Sequence, residues 1–229
     1  MPVALITGGS KGLGRALALD LAGRGWDLVL SARTAAVLER TAGEAAARGT
    51  RVTAVPGDVN DAAHRAELVA AARALGGLDL LVSNAGVLGA EPLVPLAEQP
   101  LDGLRHALET NVVAALGLIQ EALPSLRESG AGAVIVVSSE AAAEPFATWG
   151  GYGASKAALD QLAAVLAVEE PGVRVWAVDP GDMETDLYRA AVPDDTQSNP
   201  TPAEVAPGFV RLVEERPPSG RYTAPSLVR

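Results

Sequence analysis

Short aliphatic runs alternate with longer segments of helical period along this chain, and few folds accommodate that pattern. Val3 to Thr7, Leu13 to Arg24, Asp27 to Ala32 and Ala35 to Arg48 read as strand, helix, strand, helix. The alternation continues through Arg51 to Val55, Ala62 to Leu75, Leu78 to Ser83, a long helix near Leu101 to Arg127 and a strand from Ala133 to Ser138. A helix from about Tyr152 to Val168 and a strand from Val173 to Val178 follow. Parallel neighbours need a helical crossover to return the chain, and strands covered on both faces are aliphatic throughout. The pattern predicts an α/β fold, a doubly wound parallel sheet of about seven strands with helices on both faces.

At 229 residues the chain is expected to form one domain, 1–229. Aromatic residues make up only 3%, so Ala, Val and Leu must fill the interior. Between Pro180 and Pro202 four prolines stand among polar residues without sustained periodicity. That segment predicts a mobile loop beside the substrate, with a short helix near Thr185 to Ala191. A last helix over about Ala203 to Glu214 and a short strand around Arg221 to Thr223 complete the expected order.

The formal net charge of -10, with no run of Lys or Arg, argues against a nucleic-acid partner. Cysteine is absent, which removes disulfides, thiolate metal sites and cysteine nucleophiles and suits a reducing, cytoplasmic setting. The first apolar run, Pro2 to Ile6, is far shorter than a signal core or a membrane span of about 20 residues, so no membrane association is expected. His64 and His106 have no metal-ligand cluster around them in sequence and read as surface histidines; no metal site is expected.

Directly after the first strand comes Thr7-Gly8-Gly9-Ser10-Lys11-Gly12-Leu13-Gly14, opening into a helical run. Glycines let the backbone approach a pyrophosphate, and the free N–H groups at the helix start stabilise its charge. The spacing is GxxxGxG rather than GxGxxG, and such a turn can also be a plain strand-to-helix connection. The second strand ends Leu30-Ser31-Ala32-Arg33, with no Asp or Glu between Leu28 and Val37. A carboxylate there would bind the 2′-hydroxyl of NAD, whereas a basic group suits the 2′-phosphate of NADP. Lys11 and Arg33 could converge on that dianion, or be two solvated charges; the charge pattern favours NADP(H) over NAD(H).

Tyr152-Gly153-Ala154-Ser155-Lys156 places Tyr152 and Lys156 at i and i+4, on one helical face. A nearby ammonium favours phenolate, which would bring the phenol towards useful acid–base strength. The same spacing is common in surface pairs. Ser139, at the end of the preceding strand, lies 152 − 139 = 13 residues earlier, where strand ends of a doubly wound sheet border the ligand crevice. Its hydroxyl could hydrogen-bond a substrate oxygen as charge develops.

Taken in order, these residues resemble the short-chain dehydrogenase/reductase family, in its compact single-domain, Rossmann-fold form, over nearly the whole chain. The loop containing Gly8, Gly12 and Gly14 is similar to the family's TGxxxGxG, Asn84-Ala85-Gly86 to its NAG motif, and Asp58-Val59 to its adenine-contacting pair. Ser139, Tyr152 and Lys156 resemble the catalytic set, Asn111 its fourth member, and Pro180-Gly181-Asp182-Met183-Glu184-Thr185 the PGxxxT turn.

The resemblance implies carbonyl/alcohol interconversion by hydride transfer. Tyr152 would exchange the proton of the substrate oxygen, Lys156 would hold the nicotinamide ribose and tune Tyr152, and Ser139 would position that oxygen. Asn111 would hold a water linking Lys156 to solvent, and Thr185 would bind the carboxamide. Further cofactor contacts are expected from Ser10, Lys11, Leu13, Arg33, Pro180, Gly181 and Met183. It also implies a homo-oligomer, with a dimer through the helices of Leu116 and Leu162 preferred, although the Ser219 to Tyr222 end departs from the family's usual glycine-bearing segment.

Two other classes compete with a reductase of a small carbonyl substrate: a non-catalytic NADP(H)-binding regulator, and an epimerase or dehydratase with a tightly held cofactor. Neighbouring Asp182 and Glu184 read as solvated turn residues. Trp149, Phe146, Met183, Leu187 and Tyr188 could form an apolar substrate wall or simply pack. Substrate identity is not legible from the chain.

Overall fold

The computed structural model describes residues 1–227. Its strands are β1 (Val3–Thr7), β2 (Asp27–Ala32), β3 (Val52–Pro56), β4 (Leu80–Ser83), β5 (Ala133–Val137), β6 (Arg174–Asp179) and β7 (Gly220–Thr223). They form one parallel sheet in the order β3-β2-β1-β4-β5-β6-β7. The sequence expectation of a doubly wound α/β sheet is therefore met. Strand order reverses between β1 and β4, which opens a crevice beyond their carboxyl ends.

The helices are α1 (Gly12–Gly23), α2 (Ala35–Ala46), α3 (Ala62–Leu75), α4 (Leu101–Leu108), α5 (Ala114–Glu128), α6 (Gly150–Glu169), α7 (Asp186–Ala191), α8 (Pro202–Glu215) and α9 (Ala224–Leu227). Alternate residues of each strand feed opposite sides of the sheet, because strand side chains have a period of two. Ala4 and Ile6 of β1 join Leu17 of α1 and Phe209 of α8 in one core cluster. Val3 and Leu5 join Leu68 of α3, Leu118 of α5 and Leu159 of α6 in the other. Both faces are thus closed by aliphatic packing, with Trp176 and Phe209 the largest fully buried side chains.

Local chemistry sets the helix starts that matter for the site. At α8, Pro202 occupies the first turn and the Glu204 carboxylate accepts from the Thr201 N–H at 2.7 Å and hydroxyl at 2.8 Å, closing a capping box. Thr185 caps α7 by accepting from Tyr188 N–H at 3.1 Å. The loop expected around 180–202 contains this short helix where the sequence placed it. The expected long helix from Leu101 to Arg127 is interrupted: Glu109–Val113 form a π-turn, with Ala114 N–H bonded to Glu109 C=O five residues back. Periodicity could not show the extra residue, and such bulges recur at functional positions. Among the described residues no helix is long and apolar enough to cross a membrane.

Candidate active site

A cleft of about 910 Å³ runs along the carboxyl ends of β1, β4, β5 and β6. Gly8, Ser10, Lys11, Gly12, Leu13, Arg33, Asp58, Val59, Asn84, Ala85 and Gly86 border it, as do Ser139, Tyr152, Lys156, Pro180, Gly181, Met183 and Thr185. Of the residues selected from sequence, Gly14 and Asn111 stand behind the wall rather than in it. Gly14 faces the loop itself: a Cβ there would lie 2.3 Å from Gly8 O, so only glycine lets α1 start this close to β1. The N-terminus of α1 has no side-chain cap and no acidic residue in its first turn, which leaves its N–H groups to the cleft.

At the reaction end, Lys156 and Tyr152 project from α6 towards the end of β5. Lys156 Nζ donates to Val137 C=O at 2.7 Å and stands 5.5 Å from the centre of the Tyr152 ring. Ser139 ends the turn after β5 and its Oγ accepts from Ala141 N–H at 3.2 Å. Asn111, in the π-turn, is 1% exposed, and its amide is committed internally. Its Oδ1 accepts from Val87 N–H, and its Nδ2 donates to Val87 C=O and to Ser155 Oγ, each at 2.9 Å. Ser155 in turn donates to Tyr152 C=O at 2.7 Å, so Asn111 braces the segment that carries Tyr152. A Cβ on Gly86 would sit 3.2 Å from Asn111 Oδ1 and 3.6 Å from Lys156 Nζ, so glycine keeps that corridor open.

Electrostatics at this end differ from the simple tyrosine–lysine expectation. Burial, reinforced by the Asp179 carboxylate, pushes the Tyr152 phenol above its ordinary value instead of below it. Burial draws the Lys156 ammonium down to about 8, with Asp160 opposing the change. Desolvation disfavours whichever form is charged, so it moves the two groups in opposite directions. In this arrangement Tyr152 keeps its proton at neutral pH.

The opposite end is built from exposed charge. Lys11 Nζ is 2.8 Å from Asp186 Oδ2, joining the glycine loop to the first residue of α7, with the two side chains 68% and 65% exposed. Its ammonium is thus engaged by Asp186, while Arg33 stands exposed at the end of β2. The Asp58–Val59 turn is fastened from α3, where Arg65 donates to Val59 C=O at 2.8 Å. Trp149, Met183, Leu187 and Tyr188 border the cleft, whereas Phe146, 46% exposed, is not among its lining residues.

A further sequence expectation is corrected. His64 is buried at 5% exposure, not on the surface, and its Nε2 is 2.8 Å from Ser31 Oγ. Gly57 makes the room: a Cβ there would lie 2.3 Å from His64 Nδ1. His106 is exposed, as expected. Ser155, Ser138, Asp160 and Arg221 escaped the sequence reading. Ser155 lies inside the Tyr152–Lys156 segment, and Asp160 follows Lys156 at i+4, spacings that would have flagged both. Arg221 carries no such signal. No group of acidic, histidine or cysteine side chains able to hold a metal occurs among the described residues.

The family model for short chain dehydrogenases matches residues 2–196. An uncharacterized oxidoreductase of Saccharomyces cerevisiae is 37% identical over 188 residues, covering 81% of this chain and 72% of that protein. An alcohol dehydrogenase of the archaeon Thermococcus sibiricus, solved with 5-hydroxy-NADP, superposes with a TM-score of 0.88 at 27% identity, over 97% of this chain and 95% of that one. A short chain dehydrogenase of Escherichia coli CFT073, solved with NADPH, gives a TM-score of 0.90 at 30% identity, over 97% and 96% of the two chains. The sheet, the glycine loop and the cleft are those of an oxidoreductase fold, and the chain belongs to the short-chain dehydrogenase/reductase family. The uncapped start of α1 and the close approach of Gly8 and Gly14 fit a dinucleotide pyrophosphate at that end of the cleft.

Proposed function

We propose that this chain is an NADP(H)-preferring reductase of small carbonyl compounds, with Tyr152 as the proton donor. The observation that carries this reading is the geometry of the cleft wall, where Tyr152 and Lys156, with Lys156 Nζ 5.5 Å from the centre of the phenol ring, stand together with Ser139. Burial keeps this phenol protonated but weakens it as an acid, so donation to the substrate oxygen depends on a nearby ammonium that favours the phenolate left behind. Ser139 positions that oxygen, Lys156 holds the ribose and lends its positive charge to the phenol, and Asn111 keeps Ser155 and Val87 in place around them. A bound reduced nicotinamide supplies the hydride.

NADP(H) preference rests on Arg33 at the end of β2, on Lys11 in the glycine loop and on the absence of a carboxylate at that strand end. The solved relatives described with 5-hydroxy-NADP and with NADPH support the same preference. We further propose a homodimer through α5 and α6, whose outer faces expose Val113 at 51%, Val165 at 41% and Val168 at 81% with Val113 adjoining α5; sedimentation of the purified chain measures it.

The test is a panel of ketones, aldehydes and quinones monitored by NADPH absorbance, followed by the reverse reaction on the best product. NADPH oxidation by at least one member is expected, and none across the panel overturns the reading. Reduction should weaken as the pH rises past about 8, where Lys156 loses its proton. A pH–rate profile checks that limb.

A further inference from the structure

Outside the cleft, one guanidinium touches three of the segments that carry the reaction end. Arg221 lies on β7, paired with Ala177 of β6. Its Nη2 donates to Ser139 C=O at 2.9 Å, and its Nε donates to Asp160 Oδ2 at 3.1 Å. The same Nη2 is 3.5 Å from Asp179 Oδ2. Asp160 lies one helical turn beyond Lys156, and its Oδ2 also accepts from Ser138 Oγ at 2.8 Å. Asp179 Oδ1 accepts from Gly181 N–H at 3.0 Å, at the start of the Pro180–Gly181 turn. One side chain therefore joins the turn after β5, helix α6 and the end of β6.

An ordinary surface ion pair joins two flexible side chains and is worth little. This contact differs in two respects. The carboxylates are largely shielded, with side-chain exposures of 18% for Asp160 and 8% for Asp179, against 34% for Arg221. One arm of the planar fork also holds a backbone carbonyl, that of the residue whose hydroxyl faces the cleft. Without the guanidinium, two shielded carboxylates would remain near Tyr152 and Lys156 with no cation between them.

We propose that Arg221 is a positioning residue of the reductase site, fixing the Ser139 backbone and sharing the charge of Asp160 and Asp179 behind Tyr152 and Lys156. The proposal rests on the carbonyl-reductase reading. Ionisable groups on the elements packed around Lys156 are Tyr152, Asp160 and Glu169 on its own helix, Glu140 after β5, Arg174 and Asp179 on β6, Arg221 and Tyr222 on β7, Asp102, Arg105 and His106 on α4, and Glu109 in the π-turn. Asn111 and Thr110 there are neutral. Of the charged groups, Asp160 acts directly on Lys156 and Arg221 is its partner.

The chain has two lysines, Lys11 and Lys156, so protein labelled with 13C at lysine Cε gives two titrating signals, assigned with Lys11→Arg. Arg221→Met should move the Lys156 titration to higher pH, because a cation is lost and Asp160 is left unshared. Asp160→Asn should move it to lower pH, and Arg221→Lys should lie close to wild type. With the best carbonyl substrate, Arg221→Met should lower kcat by between about 10- and 100-fold with little change in KM, as a small misplacement of reacting groups does, and Arg221→Lys should recover part of it. An unmoved Lys156 titration, or an unchanged kcat, in Arg221→Met overturns the proposal. If Arg221→Met fails to fold, Arg221→Gln takes its place: it also removes the charge and should move the Lys156 titration to higher pH, opposite to Asp160→Asn, and an unmoved titration overturns the proposal. If wild type reduces no carbonyl, the functional reading fails, and the titrations still report whether Arg221 governs Lys156.

Discussion

The two ends of the cleft are made of different material. At the reaction end the polar groups are interior ones: Ser155 is 0% exposed, Asn111 1%, Lys156 3% and Tyr152 7%. At the other end Lys11 and Asp186 are more than half exposed, and Arg33 is open to solvent. Charges in water are screened within about 10 Å, whereas buried groups respond strongly to their neighbours. The reaction end is consequently a coupled unit in which one lost hydrogen bond disturbs several groups. The rim is a set of nearly independent charges that can alter cofactor choice while leaving the chemistry intact.

The largest effect tests that separation from the interior side. Tyr152→Phe should lower turnover by about 10²–10⁴-fold, the span of general acid–base catalysis, while NADPH affinity measured by fluorescence titration stays close to wild type. A large loss of NADPH binding would break the division between the ends. Asn111→Ala comes next. It strands Val87 N–H and Val87 C=O and takes one of two partners from the Ser155 hydroxyl, and buried unpaired groups cost about 1–3 kcal/mol each. Relaxation and water entry offset part of that, leaving about 3 kcal/mol and a Tm lower by roughly 6–12 °C in differential scanning calorimetry. An unchanged Tm would show that the interior is not coupled in this way.

From the rim side, Arg33→Ala should weaken NADPH binding by about 10-fold, the worth of one charge-assisted hydrogen bond at an exposed site, and leave NADH binding nearly unchanged. The difference should shrink as salt is raised, because the group is solvent-exposed. Equal weakening of both cofactors would refute the 2′-phosphate assignment. Lys11 should contribute less than Arg33, since a phosphate must compete with Asp186 for its ammonium.

Legibility in the sequence follows the same division. Strand and helix order could be read from period alone, because β1 and β5 are buried along their full length and the helices show one apolar face. The glycine loop and the Tyr152–Lys156 spacing could be read because local geometry fixes them. Long-range relations could not. The π-turn at Asn111 leaves no trace in hydrophobic period, and Arg221 meets Asp160 across 61 positions, through sheet pairing that no local pattern encodes. The direction in which the Tyr152 phenol moves was also beyond reach, since burial and the approach of the Asp179 carboxylate, unknown until the fold is built, set it.

His64 gives the smallest and most discriminating test, because it brings interior character to the rim. It sits beneath Ser31 and Gly57, and burial lowers its pKa although Glu67, Asp61 and Asp58 pull the other way. The folded chain therefore keeps His64 neutral where the unfolded chain takes up a proton. Stability from this group is present above the ordinary imidazole value and is lost as the pH falls through it, since the unfolded state then binds more protons. Glutamine can keep a hydrogen bond to Ser31 and does not titrate. Between about pH 7.5 and about pH 5.5, on either side of the imidazole range, His64→Gln should lose less Tm than wild type, by about 2 °C in a chain of this size. An identical loss in both proteins would show that His64 takes up its proton as readily in the folded chain as in the unfolded one, and that burial at this position does not couple to titration.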